Sequence, residues 1–583
     1  MTDSLTERRR DAGPKPRIEQ GRGATARTWP VAFGGHAGWL HAPAAGRASA
    51  VGVVLCAPLG RDARCAHLPM RQLAERLAAA GVTTLRYDHL GEGDSLPLEG
   101  DDDALPAWCE GVEEAVAFLR GHVNPEQVVL GGVRFGATLA ALASDIADGL
   151  ILLAPVIRGS AWLRELKVAT AVLAPTTLNA RPLDFDADGL ELGRQTVASL
   201  SQLDLRDRAF GDRPILLAAQ NSAVKAFGER LAEVGAAVSI EAFAGFEAMF
   251  EDSHSNQAPG ALFDRVIAWT LAAFPPTSER NRGAKVNEPR EAMLFPPGAV
   301  ERPVTLGDGL RGVLCRPVDG DPRGPAVILC NTGGDPRAGI GGFATSAARA
   351  LAQRGVASLR FDFAGLGDSQ AAAGSTRSHV YETCRQADFD AAIALMTQEG
   401  AGRIVLGGVC AGGYHALHAA LDNPRVDGVF AVNTVILAWR TGTSLAIGDR
   451  DDGRSTRAYL ERLKDSMTWA RLIAGEIDLR AVSRTLTLRV AAWWRARLAT
   501  APEAQVKARL ARLSARGGRV RLVVGSADPA LDMVEAQFGR GGRRFTALPG
   551  LSLRIEAGLD HGLALRASRE KVQRQLLAFV DAF

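Results

Sequence analysis

At 583 residues, with 47% hydrophobic and 23% charged side chains, the chain has the composition of a folded protein too long for one ordinary core. Its net charge is only +3, with acids and bases mixed along the chain, which excludes the clustered basic face of a nucleic-acid binder. No apolar run approaches the ~20 residues a membrane helix needs, so no membrane span is expected.

Residues 1–28 are polar and basic, lack the apolar stretch of a secretory signal, and read as a disordered tail. The seven cysteines, Cys56, Cys65, Cys109, Cys315, Cys330, Cys384 and Cys410, are scattered and without C-x-x-C spacing. That argues against a disulfide framework or a zinc site, and for a reducing, cytoplasmic location. No metal or cofactor is expected, since the glycines near residue 34 do not follow the strand-to-helix order of a dinucleotide fingerprint.

The chain then repeats itself. VGVVLCAPLG leads through a helix to GVTTLRYDHLGEGDS, and later AVILCNTGG leads through a helix to GVASLRFDFAGLGDS. Each is an apolar run, an amphipathic helix and a second apolar run ending in a Gly-rich turn, the pattern of a βαβ unit in a parallel sheet. VVLGGVRFGATLAAL at 128–142 continues the match with IVLGGVCAGGYHALH at 404–418. Asp88 and Asp362 lie 274 apart, Arg134 and Cys410 276 apart, so each copy is a whole domain rather than a solenoid repeat. The modules are placed at 29–274 and 299–583, joined by a Pro-rich, charged linker at 275–298. Amphipathic segments at about 435–517, with Trp439, Trp469, Trp493 and Trp494, predict a helical cap over the second sheet. The two modules are expected to pack against each other within the chain.

In the second copy a hydrophobic strand runs into Gly408-Val409-Cys410-Ala411-Gly412 before a helix, the G-x-nucleophile-x-G elbow with Cys where Ser is commoner. The sharp turn demands small neighbours, and the helix N-terminus favours a thiolate. Downstream, RVRLVVGSADPALD at 519–532 is a strand followed by Asp528, RRFTALPG at 543–550 reads as a further strand, and Gly558-Leu559-Asp560-His561-Gly562 precedes a final helix. Nucleophile, acid, then histidine is the chain order of this chemistry, so His561 is expected to take the Cys410 proton and Asp528 to orient the ring. The alternative reading of Asp528 is a helix N-cap, and Asp532 is the fallback acid. Asp560 is expected to serve its own loop. Oxyanion donors are expected from the amide of Ala411 and from Thr332 or Gly333 in the loop after AVILCNT. Asp368, in the turn GLGDS, is expected to make a structural hydrogen bond.

The same alignment puts Arg134 in the nucleophile slot of the first copy, Asn221 in the acid slot and His254 in the histidine slot. Arginine is neither nucleophile nor base near neutral pH, so this copy reads as degenerate. Arg134, at a helix N-terminus, could hold a carboxylate or phosphate ligand, or pair with a nearby acid.

Both modules resemble the α/β-hydrolase superfamily over nearly the whole chain past residue 28. RFDFAGLGDS and the order that follows resemble the serine-aminopeptidase-like hydrolases. ILCNTGGDPRAGIGGFATSAARALAQRGVASLRFDFAGLGDS and WARLIAGEIDLRAV resemble, more narrowly, the hydrolases associated with bacterial exosortase systems, and the first module resembles a second, shorter type of that group. The elbow G-x-C-x-G-G is similar to those of dienelactone hydrolases and polyhydroxyalkanoate synthases. The resemblance implies two tandem α/β domains, mostly parallel sheets flanked by helices, and a covalent acyl-enzyme on Cys410. The substrate would be a small-molecule or carrier-linked ester, thioester or lactone, with hydrolysis or transfer to another acceptor. The alternative is a catalytically silent binding or scaffold protein built from two degenerate copies.

Overall fold

The computed structural model describes residues 26–44, 50–98, 103–173, 185–275, 286–319, 324–371, 381, 385–439 and 501–583. Most of the expected tail, linker residues 276–285, Cys384, and cap residues 440–500 with Trp469, Trp493 and Trp494 lie outside the described residues.

The first module contains strands β1 (Arg27–Phe33), β2 (His36–Ala42), β3 (Val51–Cys56), β4 (Thr83–Tyr87), β5 (Gln127–Val133) and β6 (Gly149–Leu153). A small hairpin of β7 (Asp186–Ala187) and β8 (Leu190–Glu191) comes next, then β9 (Ile215–Ala219) and β10 (Val238–Ala242). The second module contains β11 (Ala299–Leu306), β12 (Leu310–Pro317), β13 (Pro325–Cys330), β14 (Ala357–Phe361), β15 (Arg403–Val409), β16 (Val426–Val432), β17 (Arg519–Gly525) and β18 (Leu551–Glu556). The sheets run β1-β2-β4-β3-β5-β6-β9-β10 and β11-β12-β14-β13-β15-β16-β17-β18, the same topology twice. In each, the second strand, β2 or β12, pairs antiparallel with both its neighbours, and the remaining pairs are parallel. Central strands such as β3 (VGVVLC) are buried along their whole length, because helices cover both faces of the sheet.

Two local expectations are revised. RRFTALPG is not a strand: Arg543–Thr546 is a short helix, entered through left-handed Gly541 and Gly542, and the strand is the next segment, LSLRIE. The helix Ala501–Ala515, inside the expected cap, instead packs Val506, Leu510 and Leu513 into the core beneath the second sheet. At the described end of the linker, Asn287 N donates to His122 O at 3.0 Å and Leu294 bridges to Glu301.

Asp368 does more than make a structural hydrogen bond. The repeated turns GEGDS and GLGDS face each other across the modules, and each strand arginine reaches the other copy's aspartate. Arg360 on β14 donates through Nε to Asp94 at 2.8 Å, and Arg86 on β4 pairs with Asp368. Arg337 bridges the two halves, at 2.6 Å from Asp94, 2.6 Å from Asp362 and 2.7 Å from Asp368. Around them Arg71 donates to the carbonyls of Gly367 and Ser369, while Thr345 and Arg349 donate to those of Gly93, Asp94 and Ser95. The contact is nearly two-fold, as in an isologous dimer, because the same motif appears on both sides.

Candidate active site

Strand β15 ends at Val409, and the helix Ala411–Asp422 starts two residues later. Cys410 is the hinge, held at φ 52°, ψ −115°, a backbone region that a non-glycine residue enters only when its surroundings impose it. The glycines beside it are obligatory. A Cβ on Gly408 would come within 2.3 Å of the Gly412 backbone, and one on Gly412 within 2.4 Å of the Asn331 carbonyl. The second approach also brings the loop 331–334 beside the elbow. Ala411 opens the helix and is buried, and Gly333 in that loop is left-handed with open space where a side chain would point. The Thr332 carbonyl accepts from Asp335 N at 3.0 Å, which closes the turn.

Asp528 and His561 come together as the chain order predicts. Asp528 caps the helix Pro529–Phe538 by accepting from Ala530 N at 2.8 Å through Oδ1, and through Oδ2 it meets His561 Nδ1 at 2.8 Å. One oxygen of Asp528 thus caps the helix and the other meets the ring. Asp560 accepts from Ala564 N and Leu565 N and so serves its own loop.

His561 and Cys410 are near enough to shift each other's ionisation. Burial alone would push that thiol up, but the charge and hydrogen bond of His561, with a further hydrogen bond from Tyr381, take it below its usual range. Burial would likewise lower His561, yet the Cys410 sulfur and the Asp528 carboxylate hold its imidazole well above the usual value. Each shift favours the charged form of its group. The other described cysteines differ: burial pushes Cys56, Cys65 and Cys315 up to about 12, Cys109 to about 11, and Cys330 upward as well.

Two contributors were not legible in the sequence. The Tyr381 hydroxyl is 3.5 Å from Cys410 Sγ, and its ring stacks on Trp439 at 5.3 Å with an interplanar angle of 8°. Asn433 ties the acid and histidine segments together: its Nδ2 donates to the carbonyls of Asp560 and His561, both at 2.9 Å, and its Oδ1 accepts from Gly525 N at 2.9 Å. An isolated Tyr, or an Asn at a strand end, carries no spacing signal.

The first copy keeps the bend, with Arg134 and Asn221 at two of the three corresponding slots. Arg134 sits at φ 54°, and its guanidinium is 3.0 Å from Asp62 while also pairing with Glu165. Internal acids therefore occupy Arg134, rather than leaving it for an external carboxylate or phosphate. Asn221 caps the helix Ser222–Glu233 by accepting from Val224 N at 3.0 Å. His254 draws instead on Asp252, two residues before it, at 2.8 Å, a partner the alignment did not anticipate. Among the described residues no group of His, Cys, Asp and Glu is arranged to hold a metal ion, and no helix is long and apolar enough to cross a membrane.

The duplicated sheet order and the strained strand-to-helix bend in each copy define the chain as two α/β-hydrolase-type domains in tandem. Family models agree: residues 67–202 match the serine aminopeptidase S33 family, and residues 325–475 match the alpha/beta hydrolase fold family. No curated protein matches. Among solved structures, the chain is similar to ferulic-acid-bound Est1E from Butyrivibrio proteoclasticus at 17% identity, covering 42% of this chain and 98% of that one, TM-score 0.32. A putative dienelactone hydrolase from Klebsiella pneumoniae matches at 14% identity, covering 49% and 98%, TM-score 0.31. An esterase of Pyrococcus furiosus matches at 14% identity, covering 49% and 90%, TM-score 0.30.

Proposed function

We propose that the second module is an acyl-transfer enzyme that hydrolyses an ester, thioester or lactone, or passes the acyl group to another acceptor, through a Cys410 acyl-enzyme. The observation that carries this reading is the 2.8 Å contact of His561 with Asp528, beside a thiol at a strained bend. In the reaction, Cys410 Sγ attacks the carbonyl carbon and the C=O electron pair moves onto oxygen. The amides of Ala411 and of Thr332 or Gly333 would receive that charge. As the tetrahedral adduct collapses, His561 gives its proton to the departing oxygen or sulfur, and a thioester remains on Cys410. Water or an acceptor then loses a proton to His561, attacks the thioester and releases the thiolate. Asp528 supports the imidazolium throughout.

The first module is a pseudoenzyme in this reading, because Arg134 is committed to Asp62 and Glu165. The test is intact-mass detection of an acyl adduct across a panel of esters, thioesters and lactones. A single adduct on Cys410 that disappears in His561→Ala is expected. A panel that leaves Cys410 unmodified favours the silent scaffold instead.

A second check needs no substrate. Iodoacetamide at mildly acidic pH is expected to label Cys410 selectively among the described cysteines, because the thiolate is the reactive form and the other five are held protonated. Peptide mapping with labelling spread evenly over these cysteines would contradict the ion pair.

A further inference from the structure

The loop that carries His561 runs from β18 to the helix Arg566–Val580 and is gripped from two sides. Its own module supplies Asn433, which holds the carbonyls of Asp560 and His561. On the far side is Arg569, a buried side chain of the following helix, whose Nη1 donates to Leu563 O at 3.0 Å and Ala564 O at 2.6 Å. Leu563 sits at φ 64°, a left-handed conformation that leucine keeps only where neighbours enforce it. The other end of the Arg569 fork belongs to the first module: Nη2 pairs with Glu191, and Asp186 is 3.7 Å away.

The β7–β8 hairpin makes two more contacts with the same backbone. Gly189 N donates to Ala564 O at 2.9 Å, and Asp186 Oδ2 accepts from Arg566 N at 2.8 Å. The hairpin tip is itself fixed. Asp188 and Gly189 both have positive φ, as a tight two-residue turn requires, and Asp188 pairs with Arg64 at 2.9 Å. Arg64 also reaches Asp335 of the second module at 3.2 Å. An element of the first copy thus ends on the backbone three and five residues after His561.

We propose that the β7–β8 hairpin is a positioning device for the His561 loop, with Glu191 and Asp186 acting through Arg569. The inference rests on the Cys410–His561 reading above. It gives the degenerate module a reason to persist: it completes the loop that holds the imidazole against the thiol. A small displacement of that ring weakens the ion pair, and misplacement of about 1 Å costs catalysis heavily.

The experiment uses the full chain and compares wild type with the isosteric pair Asp186→Asn/Glu191→Gln. The pH profile of Cys410 alkylation by iodoacetamide and the rate of acylation by p-nitrophenyl acetate are followed in both. Cys410 and Asp528, which act on the imidazole, and Tyr381, which reaches the Cys410 sulfur, are unchanged, so a shift reports on the loop. The alkylation midpoint is expected to rise toward that of an ordinary thiol, and acylation to fall about tenfold, with Glu191→Asp losing less. Glu191→Gln alone, on a partly exposed side chain, carries the same comparison if the pair lowers Tm. A low midpoint in wild type that stays put in the variants, with acylation unaltered, would overturn the inference alone. An ordinary midpoint already in wild type would overturn the ion pair and, with it, the role of the hairpin.

Discussion

Cys410→Ala is expected to lower turnover of any ester that acylates the protein by roughly a thousandfold or more, since members of a catalytic unit lose nearly everything singly. His561→Ala should cost about as much, and the double variant little beyond either one. Asp528→Asn is the sharper probe. Asparagine can still cap the helix at Ala530 through its side-chain oxygen, so Tm should change little. It cannot support the charge on His561, so kcat should fall by roughly a thousandfold. Cys410→Ser should also lose most activity, because a hydroxyl is not ionised at rest by the same imidazole. Steady-state kinetics with thermal melts decide the matter. Full activity in Cys410→Ala, or a fall in Asp528→Asn matched by loss of folding, would end the catalytic reading.

The duplication was legible because the offset of 274 between Asp88 and Asp362 barely drifts by the elbow, so one βαβ pattern supports the other. The elbow was legible because steric crowding at Gly408 and Gly412 admits no side chain, which leaves a fixed signature in the chain. Chain order then pointed to Asp528 and His561. What failed depended on tertiary context. RRFTALPG has strand-like residues, but the preceding glycines turn the chain left-handed and start a helix. The true strand, LSLRIE, is a half-exposed edge strand and alternates weakly. Residues 501–515 have an amphipathic face that fits a cap or a core equally well, and only the position of the sheet decides between them. Nothing local ties Tyr381 to Cys410 or Glu191 to Arg569.

Asp94→Ala is expected to destabilise the folded chain by about 3–5 kcal/mol, the cost of stripping one partner from a buried charge cluster. Asp94 is 4% exposed and accepts from both Arg360 and Arg337. Without it two buried guanidinium groups lose a counter-charge at the boundary between the modules. Burial pushes the Asp94 carboxyl up, but Arg337 and Arg360 bring it down to about 2, below the ordinary aspartate value of about 3.9. A depressed carboxylate contributes its stability in full above the ordinary value and loses it as the pH falls through about 2. The penalty of the variant should therefore be constant near neutrality and shrink only in acid. Asp368→Ala removes the mirror-image partner of Arg86 and should cost a similar amount. The two changes are not independent, because Arg337 bonds both acids and keeps Asp362 when either is lost. Removing both strips Arg337 of two of its three carboxylates, so the double variant should lose more than the sum of the single ones, with a coupling of roughly 0.5–3 kcal/mol. Urea unfolding of the four chains measures it. Single costs below about 1 kcal/mol that simply add would mean that the crossed Arg–Asp pairs do not act as one unit holding the two sheets together.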